Sequence, residues 1–486
     1  MTTTQLHFTH AQFEQARQAR DIRFDGRFFV GVTTTGIYCR PICPVKLPLA
    51  RNVTFYQTAA GAAEAGFRPC LRCRPESSPG TPAWMGTSAT VKRALRLISE
   101  GALDESSIDD LSDRLGVTSR HLARLFAKHL GASPISVAQT RRLHFAKKLL
   151  DETALKMTDI ALSSGYSSVR RFNDHIKQVY DRTPSELRRR AVSPTELGAF
   201  SLKLGCRQPF DFKSVLSFLA VRAIPGVESV VDSTYSRTIE LDGYVARLSV
   251  REHPAEAALL VSVEAEDPRH LFQIINRVKN LFDVDADPAE VNGVLSRDRG
   301  LAALIQQHPG QRLPGCWSPF EIAVRAIVGQ QVSVKGATTV MGRIAARYGD
   351  QSAQGLCFPK AEALALLDPT TLSMPQRRAQ AIKDMSAEVA SGALRFDSDV
   401  VTESLVEQLT AIKGIGPWTA QYISMRALND PDAFLDGDLV LLKVAKDYLG
   451  IGSRAELLDR AEQWRPWRAY AGMHLWRAAA QGMSSK

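Results

Sequence analysis

Four of the seven cysteines in this 486-residue chain lie close together near its N-terminus. They form two short-spaced pairs, Cys39 with Cys43 and Cys70 with Cys73. Two such pairs can surround one Zn²⁺ ion tetrahedrally, with Zn–S bonds of about 2.3 Å. The sequence therefore predicts one zinc ion held by four thiolates. Spacing alone favours a purely structural metal over a site whose thiolates react.

A second group of residues that could do chemistry lies near the C-terminus. Gly414 and Gly416 stand between two helical patterns, where glycines let backbone N–H groups approach a phosphate. Trp418 lies in the same stretch, and downstream Phe434–Asp438 places a carboxylate about 20 residues past the turn. Each feature alone has an ordinary interpretation, since a Gly-x-Gly turn is common, aromatic residues pack in cores and aspartates lie on surfaces.

The charge of the chain is concentrated in its first part. Residues 1–190 contain 29 Lys and Arg against 17 Asp and Glu, whereas residues 191–486 contain 32 against 34. A basic region of this size favours a partner with a phosphate backbone over a merely solvated basic surface. No apolar stretch approaches the length of a membrane span, and Met1–Asp21 contains no apolar h-region, so we expect no export. We therefore expect a cytoplasmic protein with reduced thiols and no membrane contact.

The length exceeds that of a single hydrophobic core, and composition divides the chain. Segments rich in Ser, Pro and Thr at Glu76–Thr90 and Ala191–Ala199 predict linkers. Residues 91–190 are helical in pattern. Strand-like runs such as Ala246–Val250 and Ala258–Val263 follow, with a helix over Leu271–Phe282, and the pattern is helical again from about 300. The predicted fold class is multidomain and predominantly α, with α+β parts.

Residues 91–190 contain a weak duplication. Gly116 and Gly165 each separate two helical patterns, and Pro134 and Pro184 close the two repeats. Helix, sharp turn and helix is the helix-turn-helix pattern, although two helical hairpins with charged outer faces would look alike. The second helices carry side chains suited to base edges and phosphates: Arg120, Arg124, Arg170, Arg171 and Asn173.

This segment resembles the AraC-type DNA-binding domain over residues 88–190. The stretch Ser167–Leu187 resembles the signature at the end of that family, and Ile135–Leu150 would be the helix that joins its two units. The resemblance implies sequence-specific binding to double-stranded DNA, with RNA polymerase as a candidate partner.

The sequence around the cysteines resembles the zinc domain at the N-terminus of bacterial Ada proteins, over residues 6–76. In that family the first cysteine accepts a methyl group from a DNA methylphosphotriester. The resemblance implies that Cys39 is the nucleophile and that the other three cysteines support it. Thr35, Lys46 and Arg68 match family positions near DNA, and Arg72 and Arg74 add basic charge.

Methylation of one thiolate would change the charge of such a site. Zinc keeps thiols deprotonated, so four thiolates around Zn²⁺ carry a net charge of about −2, which becomes −1 when one is methylated. A less negative site binds a phosphate backbone more tightly. Methyl transfer could therefore act as an electrostatic switch on an attached DNA-binding domain.

Residues 205–486 resemble the AlkA-type DNA glycosylases of the helix-hairpin-helix superfamily. The resemblance divides them into an α+β subdomain at 205–290 and a helical glycosylase domain at 295–486. It rests on Leu409–Ala420, on Phe434–Asp438 and on Trp464–Tyr470. It implies that Asp438 is the catalytic carboxylate and that Trp418, Tyr422 and Trp476 line a pocket for a flipped-out alkylated base.

Several details of the sequence refine this activity. The lysine of strand-cleaving members is replaced by Trp418, which predicts base release without strand cleavage. Gln331 stands where the best-known AlkA has a leucine wedge, so its contribution to lesion affinity is open. The Pro-Cys-His-Arg motif of methylguanine-DNA methyltransferases is absent. Cys206, Cys316 and Cys357 are interpreted as ordinary thiols.

Taken together, these patterns predict a monomeric protein of alkylation repair and response. It would excise alkylated bases of the 3-methyladenine and 7-methylguanine type, accept methyl groups on Cys39 and regulate transcription. Two alternatives stay open. One is an alkylation-sensing activator whose glycosylase half is degenerate, and the other is a redox regulator that loses zinc on oxidation.

Overall fold

The computed structural model describes residues 8–79, 89–104, 106–188, 199–265, 267–397 and 400–484. Both predicted linkers lie largely outside the described residues. The chain packs as two compact units, one formed by residues up to Cys206 with Ala255–Asn276, the other by Arg207–Pro254 with the residues from Arg277 onward. Within the described ranges, no helix combines the length and apolarity needed to cross a membrane.

Helices dominate the described chain, which confirms the predicted fold class. The first ones are α1 His10–Ala19, α2 Ala59–Glu64, α3 Ala89–Ser99, α4 Ile108–Leu115, α5 Ser119–Leu130, α6 Pro134–Glu152, α7 Met157–Ser163, α8 Val169–Tyr180, α9 Pro184–Leu187, α10 Phe212–Ala220 and α11 Leu271–Phe282. The later ones are α12 Pro288–Leu295, α13 Arg299–Gln307, α14 Pro319–Val328, α15 Val334–Tyr348, α16 Ala361–Ala365, α17 Gln376–Ala390, α18 Thr402–Ala411, α19 Pro417–Ala427, α20 Leu439–Leu449, α21 Arg454–Ala461 and α22 Arg468–Ser484. Short 3₁₀ helices span Ile22–Phe24, Ala50–Asn52, Pro75–Ser77, Pro369–Thr371 and Glu462–Trp464.

Four short strands form the sheet of the cysteine-containing domain. They are β1 Phe29–Val32, β2 Ile37–Cys39, β3 Val53–Tyr56 and β4 Arg68–Pro69, in the order β3-β1-β2-β4. Val30 pairs with Cys39 in the antiparallel β1–β2 register, and β4 runs parallel to β2. Buried aromatic residues on both faces of β1 fill the small core. Cys39 is therefore fixed at the end of a hydrogen-bonded strand.

Two helix-turn-helix units follow, as the duplicated pattern predicts. α4 ends at Gly116, whose φ of +69° belongs to the left-handed region that glycine adopts without strain, and α5 begins after a Thr118 cap. The second unit pairs α7 with α8, which is capped by Ser168. Apolar residues recur at i, i+4 and i+8 on the buried faces of the second helices: Leu122, Phe126 and Leu130 on α5, and Phe172, Ile176 and Tyr180 on α8. The long helix α6 joins the units.

The strands of the α+β region are antiparallel. In the first unit, β5 Ala199–Gly205 pairs with β9 Ala258–Glu264. In the second, β6 Glu228–Val231, β7 Thr234–Leu241 and β8 Tyr244–Glu252 form a meander, with Tyr235 opposite Val250. Inward and outward residues alternate along β7 and β8, as expected for a sheet with one solvated face.

A helical core forms the larger part of the second unit. α14 is buried along nearly its whole length, and it packs with α15, α17, α18 and α19 around an apolar cluster that includes Ile327, Met341 and Ile423. β10 Gln351–Ser352 and β11 Gly355–Leu356 form a small hairpin beside it. This rigid core carries the turn between α18 and α19, and α20 follows α19 in sequence.

Candidate functional sites

The four cysteines converge into one buried cluster. Their sulfur atoms all lie within 4.8 Å of one another, and none forms a disulfide. Tetrahedral zinc with bonds of about 2.3 Å places its sulfur ligands roughly 3.8 Å apart, so the cluster has the size and the donor chemistry of a zinc site. The chain thus holds one Zn²⁺ through Cys39, Cys43, Cys70 and Cys73, as predicted.

Arg40 fixes the backbone next to the nucleophile candidate. Its guanidinium group pairs with Asp25, which is 3% exposed, and donates to the carbonyl oxygen of Cys73 at 3.1 Å. Its backbone N–H points at the sulfur of Cys73, at 3.3 Å. An N–H aimed at a thiolate stabilises its negative charge and sets its orientation. Arg40 thus ties two of the four ligands to the core of the domain.

The predicted DNA-facing residues around this cluster differ in position. Thr35 is exposed in the turn between β1 and β2. Arg68 on β4 is half-buried, and its backbone N–H donates to the carbonyl oxygen of Gly36 at 2.8 Å, which places it beside that turn. Lys46 is exposed in the loop that follows Cys43, and Arg72 is exposed between Cys70 and Cys73. Arg74, which was expected to add basic charge, does not do so, because its guanidinium group pairs with Glu76 and Asp151.

The cysteine domain is joined to the helix-turn-helix region by buried polar contacts. The hydroxyl of Tyr38, next to Cys39, lies 2.8 Å from Nε2 of His144 on α6. Burial lowers the pKa of His144 to about 4, so this ring is neutral at physiological pH. A second contact is the ion-pair cluster of Arg74, Glu76, Lys147 and Asp151, in which Lys147 is 2% exposed. These contacts place both domains in one packed unit.

The residues predicted to read DNA lie on the outer faces of α5 and α8. Arg120 and Arg124 on α5, and Arg170, Arg171 and Asn173 on α8, are all exposed. None belongs to the apolar face that packs inward. Arg124 Nη2 lies 3.0 Å from Nδ1 of His121, and Arg171 donates to Ser167 at 3.1 Å. Two exposed basic helices presented in this way suit insertion into the major groove.

In the second unit, Asp438 is the N-cap of α20 and accepts four hydrogen bonds. Oδ1 accepts from the backbone N–H groups of Val440 and Leu441, both at 2.9 Å, and from Nε1 of Trp476 at 3.3 Å. Oδ2 accepts from Nε1 of Trp418 at 3.1 Å. Both indoles predicted to line the pocket therefore bind the predicted carboxylate directly. Their N–H groups hold it in one orientation without neutralising it.

The predicted aromatic residues lie together beside Asp438. The rings of Trp418 and Tyr422 are stacked, with centroids 5.5 Å apart and planes at 10°. The ring of Trp476 lies 6.4 Å from that of Tyr422. All three are partly exposed, unlike Trp464, which is fully buried in the core. A partly exposed aromatic cluster around a carboxylate forms a surface on which a planar base can stack.

Sequence reasoning missed the groups behind this cluster. Arg426, one turn after Tyr422 on α19, donates to the Tyr422 hydroxyl at 2.9 Å. Phe218, on α10, lies under two guanidinium groups, those of Arg222 at 3.7 Å and Arg426 at 4.9 Å. Burial alone would raise the pKa of Tyr422, but Arg426, Arg222 and Arg325 lower it below its ordinary value. Arg426 stands four residues after Tyr422, at helical spacing, but Phe218, Arg222 and Arg325 lie far from Tyr422 in sequence, so no spacing pattern could place them beside it.

The loop between α14 and α15 contacts the turn between α18 and α19, called the hairpin below. The contact is made by a residue that the sequence did not single out. Gln330 donates to the carbonyl oxygen of Gly414 at 3.0 Å and to Oγ1 of Thr419 at 3.1 Å. The next residue, Gln331, is exposed, has φ of +55° and lies 3.5 Å from Arg378. The structure thus places Gln331 at the tip of a loop and not among the residues that contact Asp438.

Glycine stands at positions 414 and 416 of the hairpin for different structural reasons. Gly414 has φ of +102°, and a Cβ there would lie 3.1 Å from that of Ala381, so both conformation and space require glycine. Gly416 is extended and exposed, a Cβ there would meet open space, and the residue caps α19. Its open surface leaves the N–H groups at the start of α19 accessible to an anion.

Comparison with known proteins follows the same division. Sequence models of four families match in order: the metal binding domain of Ada at 12–76, a helix-turn-helix domain at 111–190, the AlkA N-terminal domain at 201–318 and the HhH-GPD superfamily of base excision DNA repair proteins at 324–468. The fold and the two sites thus define a fusion of a metal-binding, DNA-binding protein with a base excision protein.

Two curated relatives and one solved structure illustrate the likeness. A probable bifunctional transcriptional activator/DNA repair enzyme AlkA of Mycobacterium tuberculosis is 42% identical over 481 residues, covering 96% of each chain. The DNA-3-methyladenine glycosylase 2 of Escherichia coli is 34% identical over 279 residues, 56% of this chain and 95% of its own. A 3-methyladenine DNA-glycosylase from Archaeoglobus fulgidus shares the fold, with a TM-score of 0.52 at 21% identity over 57% of this chain and 98% of its own. The chain belongs to the family of bifunctional transcriptional activator/DNA repair enzymes AlkA.

Proposed function

We propose that the protein repairs alkylated DNA at two separate sites and regulates transcription in response. The second unit is a DNA glycosylase that hydrolyses the N-glycosidic bond of alkylated bases of the 3-methyladenine and 7-methylguanine type. The observation that carries this proposal is the Asp438 carboxylate, held by the N–H groups of Trp418 and Trp476 beside a partly exposed aromatic cluster.

Asp438 faces the sugar while the base rests against the aromatic rings. When the bond between C1′ and the base nitrogen breaks, its electron pair leaves with the base and positive charge develops on the sugar. The carboxylate stabilises that charge, because its orientation is fixed before the reaction. A water molecule then adds its oxygen to C1′ and releases a proton, which gives an abasic site. The base must first leave the duplex to reach this position.

The reaction stops at base release. Strand cleavage in this superfamily requires an amine that attacks C1′, and this chain has Trp418 in the corresponding position. Trp418 instead donates to Asp438 at 3.1 Å. We therefore expect abasic DNA as the product, and nicked DNA only after treatment with alkali.

Asp438→Asn tests the glycosylase assignment. The variant should release 7-methylguanine from duplex DNA about 10²–10³-fold more slowly in single-turnover assays, since the charge opposite the sugar is lost. Asp436→Asn is the matched control, because Asp436 is two residues away and pairs with Arg454 at the surface. Base release by Asp438→Asn at the wild-type rate would contradict the role. No release by the wild type would favour a regulator with a degenerate glycosylase half.

At the first site, Cys39 is the proposed methyl acceptor. Bound zinc would keep the four sulfurs deprotonated. The Cys39 sulfur forms a bond to the methyl carbon of a phosphotriester as the methyl–oxygen bond breaks, and the electron pair of that bond stays on the phosphate. A neutral triester becomes an anionic diester, and the thiolate becomes a thioether. No step regenerates the thiolate, so each protein molecule acts once.

Mass spectrometry of Cys39→Ser tests this step. After incubation with DNA carrying methylphosphotriesters, the wild type should gain one methyl group on the peptide that contains Cys39, and the variant none. Cys206→Ser is the control, since Cys206 is buried outside the cluster. Methyl uptake by Cys39→Ser would contradict the assignment. Zinc loss under mild oxidant, without methyl uptake, would favour the redox regulator instead.

The helix-turn-helix region connects the first site to regulation. The exposed basic faces of α5 and α8 bind DNA, and the loss of one negative charge at the cysteine cluster strengthens that binding. The domain boundaries 6–76, 88–190, 205–290 and 295–486, a monomeric state and contact with RNA polymerase stay predictions. Titration of the chain before and after methylation with operator-length duplexes at several salt concentrations measures the expected gain in affinity.

A further inference from the structure

The two helix-turn-helix units have separate apolar cores. The core of the first unit contains apolar side chains from Val91 on α3 to Ala138 on α6. Among the described residues, that core includes no side chain of α7 or α8, although Phe172 and Ile176 on α8 are fully buried. The relative orientation of α5 and α8, the two helices with exposed basic faces, is therefore set by α6 and by the contacts between the units beside it.

One such contact is a carboxylate that two arginines of α6 enclose. Asp104 stands in the loop between α3 and α4, and its Oδ1 accepts from Nε of Arg142 at 2.8 Å. The same oxygen pairs with the guanidinium group of Arg141. Arg141 also donates to the carbonyl oxygen of Ile98, and Arg142 donates to that of Leu103. Both guanidinium groups thus attach the segment that leads into the first helix-turn-helix unit to α6.

The other oxygen of this carboxylate faces the second unit. Gly165 lies in the turn between α7 and α8 with φ of +80°, and a Cβ there would overlap Oδ2 of Asp104 and lie 2.7 Å from its Cγ. The carboxylate therefore lies against the backbone of that turn, where only glycine leaves room for it. The next residue, Tyr166, contacts α8, because its hydroxyl lies 2.8 Å from Nδ1 of His175. Asp104 thus contacts the segments that lead into both helix-turn-helix units.

This arrangement is largely shielded from solvent. The side chain of Asp104 is 19% exposed, and those of Arg141 and Arg142 are 13% and 18% exposed. Salt screens partly buried charges weakly, and a carboxylate that accepts from two guanidinium groups is held more firmly than one in an exposed ion pair. The loop before α4, the helix α6 and the turn before α8 are therefore held together, which limits changes in the angle between α5 and α8.

The angle between the two helices matters because DNA is periodic. Two helices that enter successive major grooves on one face of a duplex lie about one helical turn apart, roughly 34 Å. One inserted base pair moves the second half-site by about 3.4 Å and rotates it by about 34° around the axis. A rigid pair of helices cannot follow this change, whereas a pair joined by α6 alone could bend or roll to follow it.

We propose that Asp104 determines the spacing of the half-sites that the protein recognises, because it holds the two helix-turn-helix units in one register. The proposal rests on the proposed binding of DNA by α5 and α8. Asp104 acts through Arg141, Arg142 and Gly165 and not through contact with a base, so it is a positioning residue. Its replacement loosens the preference for one spacing and leaves each helix able to read its own half-site.

The test is Asp104→Asn in the zinc-loaded full chain. Random duplexes of about 40 base pairs are selected with the wild type to define its two half-sites. Affinities are then measured on duplexes in which these half-sites are moved apart or together by one base pair. The wild type should lose at least about tenfold in affinity at either changed spacing. Asp104→Asn should bind the selected spacing several-fold more weakly than the wild type, yet lose less than about threefold when the spacing changes. Its affinity for an isolated half-site should equal that of the wild type.

Further variants separate the parts of this change. Asp109→Asn removes the same charge from an exposed position on the first turn of α4, and it should keep the wild-type spacing preference. Gly165→Ala keeps the charge of Asp104 but places a Cβ against its carboxylate, so it should relax the spacing as Asp104→Asn does. Gly116→Ala strains the turn of the first unit, where φ is +69° and a Cβ would meet open space, and it should keep the spacing preference.

The outcomes separate this inference from the proposed function. The inference is overturned if folded Asp104→Asn, or Gly165→Ala where the first variant does not fold, keeps the full loss at changed spacing. Equal relaxation in Asp109→Asn or Gly116→Ala also overturns it, as does an equal loss of affinity for isolated half-sites, which indicates a merely structural role. A wild type that selects no sequence contradicts the proposed sequence-specific binding itself. A wild type that selects a single half-site leaves DNA binding intact and overturns the role of Asp104 in spacing.

Discussion

The cysteine cluster and the Asp438 site stabilise negative charge in different ways. The cluster brings four sulfur atoms within 4.8 Å of one another, and as four thiolates they need a metal cation to offset their mutual repulsion. Asp438 is a single carboxylate surrounded by four N–H groups that carry no net charge. The first site therefore depends on an ion that can be removed. The second depends on dipoles that the fold holds in place.

Removal of zinc should produce the largest difference in activity between the two sites. A chelator under reducing conditions should abolish methyl uptake on Cys39 and unfold the small domain, since thiolates lose their common cation. Base excision by the same sample should stay within about twofold of its starting rate, because no group of three or more metal-ligating side chains includes Asp438 among the described residues. Parallel loss of both activities would show that the second site also depends on the ion.

Arg40→Ala tests how much the cysteine domain depends on its own ion pair. The change removes the Arg40 guanidinium group from the buried Asp25 and removes the donor to Cys73, so the domain should lose about 3 kcal/mol of unfolding free energy. Arg23→Ala is the control, because the Arg23–Asp21 pair is exposed to solvent and should contribute nothing measurable. Chemical unfolding of the zinc-loaded protein measures both. Equal losses of unfolding free energy in the two variants would show that the buried ion pair stabilises the domain no more than the exposed one.

Gln330→Ala tests the dipole arrangement of the second site. Without its amide, the carbonyl oxygen of Gly414 and the hydroxyl of Thr419 lose a donor, and the loop is released from the hairpin. Excision should slow about tenfold, with little change in zinc content or methyl uptake. Gln331→Ala replaces the neighbouring exposed residue and should have a smaller effect. If the two variants behave alike, the loop contact through Gln330 is unimportant.

Asp283 offers a contrast with Asp438 within the same unit. It accepts hydrogen bonds from the Leu313 N–H at 2.9 Å and the Tyr470 hydroxyl at 2.7 Å, yet burial raises its pKa to about 6. The folded form therefore keeps a proton that the unfolded chain releases near pH 4. Stability contributed by this group should fall as pH rises from about 4 to about 6 and then level off.

Asp283→Asn should remove that slope. Relative to the wild type, the variant should be unchanged near pH 4 and more stable at pH 7 by about 1–3 kcal/mol. Thermal unfolding across this pH range gives the difference, with Asp447→Asn as a control at an exposed position. An equal shift in both variants would mean that burial of the Asp283 carboxyl has no such cost.

The sequence predicted the parts of each site that are local in the chain. The cysteine cluster is built from two short segments and one strand pairing, and the duplicated turns at Gly116 and Gly165 marked both helix-turn-helix units. Long-range contacts could not be predicted in this way. Nothing in the sequence indicated that the Trp476 N–H reaches Asp438, that Gln330 binds the hairpin or that Arg222 lies near Tyr422. Arg74, which was expected to add basic charge, pairs with Asp151, 77 positions away in sequence.

The ion pairs that join the cysteine domain to α6 have a practical consequence for fragments of this protein. Glu76 belongs to one side and Lys147 to the other, and each side chain is 2% exposed. A protease that cleaves the chain between residues 79 and 89 would break the covalent connection but leave those contacts in place. Separation of the pieces would expose buried charges without partners, so the nicked protein should migrate as one species in gel filtration until a denaturant is added.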